Sequence, residues 1–298
     1  MNTFIKFLKF SPIFLVLLWI SACEDENNNN SDNKDVVENI TVAQEDNLIT
    51  YLIPSPKDMF AFTRDGNLQF SDAVLNEKEN SDKYIDTKGL EVGFGIYSAD
   101  LAYTAAFNQT GTAGEYLKVV EGLSDKIGLG SVFSESLINR FKNIESKDSL
   151  LKVTNDTYYD IVKFLEENDR NTSLALISVG GWVESLYIVT SIQDKYEQEN
   201  DIIQLIADQK NIFENLILSL QQKENDENIK LVLKELTPIK EIYNKLEVVK
   251  IEQPAETHAS KSQIVVGGST KIVITKEQFI QLKKIISDVR NNLAGSNI

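Results

Sequence analysis

Asp100 and Glu184 stand out because of their surroundings. They lie in residues 88–108 (KGLEVGFGIYSADLAYTAAFN) and 174–192 (LALISVGGWVESLYIVTSI), both dominated by apolar and small side chains. A carboxylate leaves water at a high cost unless it is paired or hydrogen-bonded. If the two segments pack together, the acids meet, with Tyr97, Tyr103, Trp182 and Tyr187 around them. Two chemistries follow. The first is a polar pocket for a small ligand or a cation, or an acid/base pair in which burial and mutual repulsion raise a pKa. The second is structural, each acid bonding a Tyr, a Ser or a helix N-terminus, or facing solvent at a helix end. The sequence favours the second, since structural networks perturb acids as readily as active sites do. Trp182 follows the same logic, as a core residue before a sugar platform.

Other chemistry is thinly represented. His258 is the only histidine and sits in a polar stretch (QPAETHASKS), which excludes HExxH zinc sites and the Glu-x-x-His pairs of di-iron bundles. Gly93-Phe94-Gly95 lacks the third glycine and preceding strand of a dinucleotide motif. Gly267-Gly268-Ser269-Thr270-Lys271 lacks the first glycine of a phosphate loop, and Asp65-Gly66-Asn67 lacks the spaced acids of a calcium loop. No metal, cofactor or catalytic residue is expected.

Cys23 is the only cysteine. It follows Ile20-Ser21-Ala22, and upstream lie Lys6, Lys9 and an apolar run, Phe10–Ile20, too short to span a bilayer. This order looks like a lipoprotein signal peptide over residues 1–22, with Cys23 the lipid attachment point. A lone thiol in an exported chain has no intramolecular partner, and lipidation accounts for it. Two or more acyl chains would anchor the protein stably. Residues 23–47 are rich in Asn, Asp and Glu and read as a disordered acidic tether. The formal charge is −15. That balance opposes nucleic-acid binding, which rests on neutralising phosphates. The expected partners are a membrane, through the N-terminal lipid, and an envelope protein.

Residues 48–298 read as one mostly helical domain, a multi-helix bundle with a small β-hairpin-like element before the C-terminal helix. The two acid-bearing segments are apolar on every face and should be its central helices. Amphipathic helices should surround them. Leu151, Thr154, Tyr158, Ile161, Val162 and Leu165 share a face in 150–168, as do Ile202, Ile206, Phe213, Leu216, Ile217 and Leu220 in 200–221. Residues 228–246 continue the pattern, and Pro238 either kinks that helix or opens a second one capped by Thr237. The last helix opens on a capping box, Thr275 with Gln278, and buries Phe279, Leu282, Ile286, Val289 and Leu293. Between 247 and 275, β-branched clusters at 248–251, 264–266 and 272–274 suggest a hairpin turning at Gly267-Gly268. Residues 174–192 are long enough to cross a membrane, but a central Glu184 opposes a span.

Tyr97–Thr104 (YSADLAYT) and Ser178–Tyr187 (SVGGWVESLY) resemble segments of uncharacterised helical lipoproteins of Bacteroidetes-type bacteria. The resemblance implies an exported, lipid-anchored helical body in the envelope of a Gram-negative bacterium, on the outer or inner membrane, with surface exposure allowed by the acidic tether. It carries over no activity. The leading expectation is a non-enzymatic binding or scaffold module. The alternatives are a small-ligand or glycan-capture lipoprotein using an Asp100/Glu184 pocket and a carboxylate-dependent enzyme.

Overall fold

The computed structural model describes residues 59–60, 68–133, 139–141, 147–252 and 268–295. All lie in the unit Gln44–Ile298; the other unit, Met1–Ala43, falls outside the described residues, and with it the leader and Cys23. The acidic tether, His258 and Gly267 are also outside them. Helix accounts for 74% of the described residues, and one two-stranded antiparallel sheet precedes the C-terminal helix.

Two short 3₁₀ turns, Asp72–Val74 and Lys78–Lys83, precede the helices. The helices are α1 (Thr87–Ala106), α2 (Thr110–Lys126), α3 (Lys147–Glu167), α4 (Asn171–Ile192), α5 (Asp201–Gln221) and α6 (Glu227–Tyr243). Strands β1 (Glu247–Glu252) and β2 (Gly268–Val273) follow, then α7 (Lys276–Leu293). The helix starts obey capping chemistry. Asp86, Asn200 and Asp226 accept backbone N–H bonds at the starts of α1, α5 and α6, and Thr275 and Gln278 close the expected capping box on α7. Asn108 (φ 57°) and Asp169 (φ 56°) make the left-handed stops that turn the chain into α2 and α4.

Pro238 neither breaks nor restarts its helix. It lies inside a continuous α6, and the Thr237 hydroxyl donates back to the Leu233 carbonyl at 3.1 Å instead of capping a new helix. The strand pairing also differs from the expected hairpin. β1 and β2 are antiparallel, with Val248 opposite Ile272 and Glu252 opposite Gly268. Gly268 is therefore a strand residue, and the first β-branched cluster pairs with the third. The second cluster, 264–266, lies outside the described residues. Helix α2 carries a helical apolar stripe of its own, Ala113, Tyr116, Leu117, Val120 and Leu123.

α1 and α4 form the core pair and share the largest interface between elements. Among the described residues α4 alone is long and apolar enough to cross a membrane, and 78% of its apolar window is buried in the bundle. Helices packed on every side account for that composition. Two apolar clusters flank the pair. One gathers α2 and α3 against Phe94, Leu101 and Ile177; the other gathers α5, α6 and α7 against Val92, Val179 and Val183.

Glycine sets the α1–α4 separation. A Cβ on Gly95 would lie 2.0 Å from the Ile177 carbonyl oxygen, and one on Gly180 would lie 2.0 Å from that of Val92. No side chain fits there, so each helix has a glycine where the other's backbone passes.

Candidate functional site

The close crossing determines what becomes of the two acids. Asp100 sits on α1 and Glu184 on α4, both completely buried. The two acids lie near one another in the core, close enough that each shifts the other's titration. The third member of the cluster is Arg290 of α7, 7% exposed. Its Nε donates to Glu184 Oε2 at 2.8 Å and its Nη2 to Glu184 Oε1 at 2.9 Å, a two-pronged pairing that satisfies both oxygens. The Arg290 guanidinium also stacks over Tyr187, with Cζ 4.7 Å from the ring centroid.

Asp100 has fewer donors. Its Oδ2 accepts the Asn76 backbone N–H at 3.3 Å, and its Oδ1 faces no donor. An ionised Asp100 would thus hold a buried, unsatisfied oxygen beside a second anion. A neutral acid resolves both problems, because its O–H can donate to Glu184. Burial first, then the charge of Glu184, pushes Asp100 well above the usual carboxylate range. Burial lifts Glu184 as well, opposed by the Arg290 guanidinium. Arg290 bonds Glu184 and not Asp100, so Asp100 is the member whose neutral form the cluster favours.

A strap formed by residues 75–84 closes the cluster. The Tyr97 hydroxyl donates to the Glu77 carbonyl at 2.6 Å, and the Tyr116 hydroxyl to the Asn76 carbonyl at 2.7 Å. Asn76 Nδ2 donates to the Tyr84 hydroxyl at 3.4 Å, and Asn80 Nδ2 donates to Asn76 Oδ1 at 2.9 Å. Tyr84 in turn fits against Gly93, where a Cβ would lie 2.7 Å from its ring. Burial drives Tyr84, Tyr97 and Tyr116 above the ordinary tyrosine range, so all three stay protonated.

The remaining candidates separate. Tyr97 and Tyr187 join the cluster. Tyr103 turns to another aromatic group, with its ring 5.2 Å from Phe70 and 5.7 Å from Phe60, and its hydroxyl accepts the Ser71 N–H at 2.9 Å. Trp182 stacks on Phe213 at 5.0 Å and donates Nε1–H to Gln209 at 3.0 Å. It is a core residue. Arg290 and Asn76 are the members that sequence reasoning missed. Arg290 had a signal, lying four residues beyond Ile286 on the buried stripe of α7. Asn76 meets Asp100 through its backbone N–H, a contact with no comparable signal.

An Asp100→Asn variant tests the protonation assignment. In the folded chain Asp100 binds its proton more tightly than in the unfolded chain, so its contribution to stability is full below the ordinary carboxylate pKa, about 4. That contribution falls as pH rises toward the raised folded value. The Asn amide cannot titrate. The stability difference between Asp100→Asn and wild type should therefore move in favour of the variant by up to about 1.4 kcal/mol per pH unit through that window. Denaturant unfolding across the range reads it directly, and parallel curves would refute a neutral Asp100.

Among the described residues, no three His, Cys, Asp or Glu side chains gather where they could hold a metal ion. The chain matches no protein-family model, no curated protein and no solved structure.

Proposed function

We propose that this chain is a lipid-anchored cell-envelope protein that acts by binding a protein partner and not by catalysis. One observation carries the second half of that reading: the buried carboxylates Asp100 and Glu184 are sealed from solvent, and Arg290 neutralises Glu184. A general acid or nucleophile must reach its substrate, and these acids reach only each other, Arg290 and the Asn76 backbone. The lipobox-like leader ending at Cys23, the acidic tether and the resemblance of 97–104 and 178–187 to helical lipoproteins support the first half. The acidic tether would hold the bundle away from anionic headgroups, which repel it.

Cross-linking in intact cells, with Cys23→Ala as the unanchored control, tests the reading. A stoichiometric partner captured by the native chain and lost in the control is the expected result. A chain that is lipidated and folded yet captures nothing would overturn it.

A further inference from the structure

The small sheet has one edge closed and one open. β1 pairs with β2 in a two-stranded sheet. On the far side of β2, the Ile272 carbonyl accepts from Gln204 Nε2 at 3.1 Å and the Ile274 carbonyl accepts from the Tyr196 hydroxyl at 2.7 Å. The Ile272 carbonyl therefore turns away from β1. In an antiparallel pair, opposite residues either exchange backbone bonds or both turn outward. Val248 stands opposite Ile272, so its N–H and C=O face the open edge. The two-residue period of a strand turns the backbone groups of Lys250 and Glu252 the same way. Among the described residues, none bonds the backbone of Val248 or Lys250 on that side.

Exposure of the side chains agrees. Val248 shares a face of the sheet with Ile272, which is 4% exposed, yet Val248 itself is 51% exposed. Val249, on the other face, is 38% exposed. A strand with unpaired backbone groups and exposed β-branched side chains is a template for another strand. A two-stranded hairpin is also marginal by itself.

β1 is complementary to itself in one antiparallel register. With Lys250 or Glu252 on a two-fold axis, like charges stand directly opposite, which is unfavourable. With Val249 there, Lys250 stands opposite Val248. With Ile251 there, Lys250 of each copy stands opposite Glu252 of the other, and these are residues whose backbone groups face the open edge. We propose that the chain pairs with a second copy of itself, β1 against β1 about a two-fold axis at Ile251, to make a four-stranded sheet. Because Gln204 and Tyr196 occupy the other edge, each chain offers one strand and association closes at two copies. This pairing and the binding of a protein partner are separate, and neither depends on the other.

Disulfide trapping on the anchored chain in intact cells, under a mild oxidant, tests the pairing. Ile251→Cys places two cysteines in a non-hydrogen-bonded pair, whose Cα atoms lie about 4.5 Å apart, within reach of a disulfide. A linked dimer is expected, and the native chain, with Cys23 as its one cysteine, should give none. Lys250→Glu added to Ile251→Cys sets acid against acid and should lower the dimer yield about tenfold. Glu252→Lys should do the same. The exchange of both, Lys250→Glu with Glu252→Lys, should restore the yield. Denaturant midpoints confirm that each variant is folded. An undiminished dimer in Lys250→Glu, or a folded double variant that fails to recover, would overturn the assignment. So would Ile251→Cys that forms no dimer or links to a different protein.

Discussion

Replacing Arg290 with methionine will destabilise the protein by about 3–5 kcal/mol, the range for removing one partner of a buried ion pair. The loss comes less from the two hydrogen bonds than from what remains. Glu184 is wholly buried and would keep its charge with no cation beside it, or take up a proton and lose its acceptor role toward Asp100. Methionine preserves much of the volume and the contact with Tyr187, so the change isolates the charge. The double variant Arg290→Met with Glu184→Leu should recover most of the loss, since replacing a buried pair by apolar residues of like size is often neutral. Denaturant midpoints of the two single variants and the double variant make a complete cycle. A single Arg290→Met variant as stable as wild type would show that the guanidinium does not compensate Glu184 in solution.

The second large effect comes from adding one methyl group. Gly95→Ala in α1 should raise helix propensity by about 1 kcal/mol. It should nevertheless lower stability by about 1–3 kcal/mol, the usual cost of forcing atoms into a filled core. The new Cβ would stand 2.0 Å from the Ile177 carbonyl oxygen and 2.7 Å from the Gly181 nitrogen, both backbone atoms that cannot rotate away. Relief requires α1 and α4 to separate, which also loosens the Asp100–Glu184 contact. Gly122→Ala in α2 is the control. It adds the same methyl group with no atom within 4 Å, and it should stabilise the chain by about 0.5–1 kcal/mol. If both substitutions stabilised equally, the close crossing would be wrong.

The fold was legible where periodicity was strong and the site only where composition was odd. Apolar stripes at three- and four-residue steps located α3, α5, α6 and α7, and the all-round apolar character of 88–108 and 174–192 marked the central pair. An acid in an apolar segment is anomalous whatever its partner, so Asp100 and Glu184 could be picked out singly. Their partner could not be chosen that way. Arg290 lies 106 residues from Glu184, and an arginine in the last turn of a helix also suits the helix dipole, which hid its second role. Tyr103 and Trp182 went to other clusters because successive positions on a helix point about 100° apart, a spread that sequence proximity conceals. The strand register was missed because Gly267-Gly268 has turn chemistry, yet Gly268 pairs with Glu252 inside a strand.

Partner capture by anchored Asp100→Asn is the measurement closest to the central claim that the acid cluster holds the fold and that binding occurs elsewhere. Cells carrying this variant should yield the same cross-linked partner in the same amount as cells carrying the native chain. Loss of the partner from a variant that is lipidated and unfolds at the native midpoint would place Asp100 in the function itself and contradict the account.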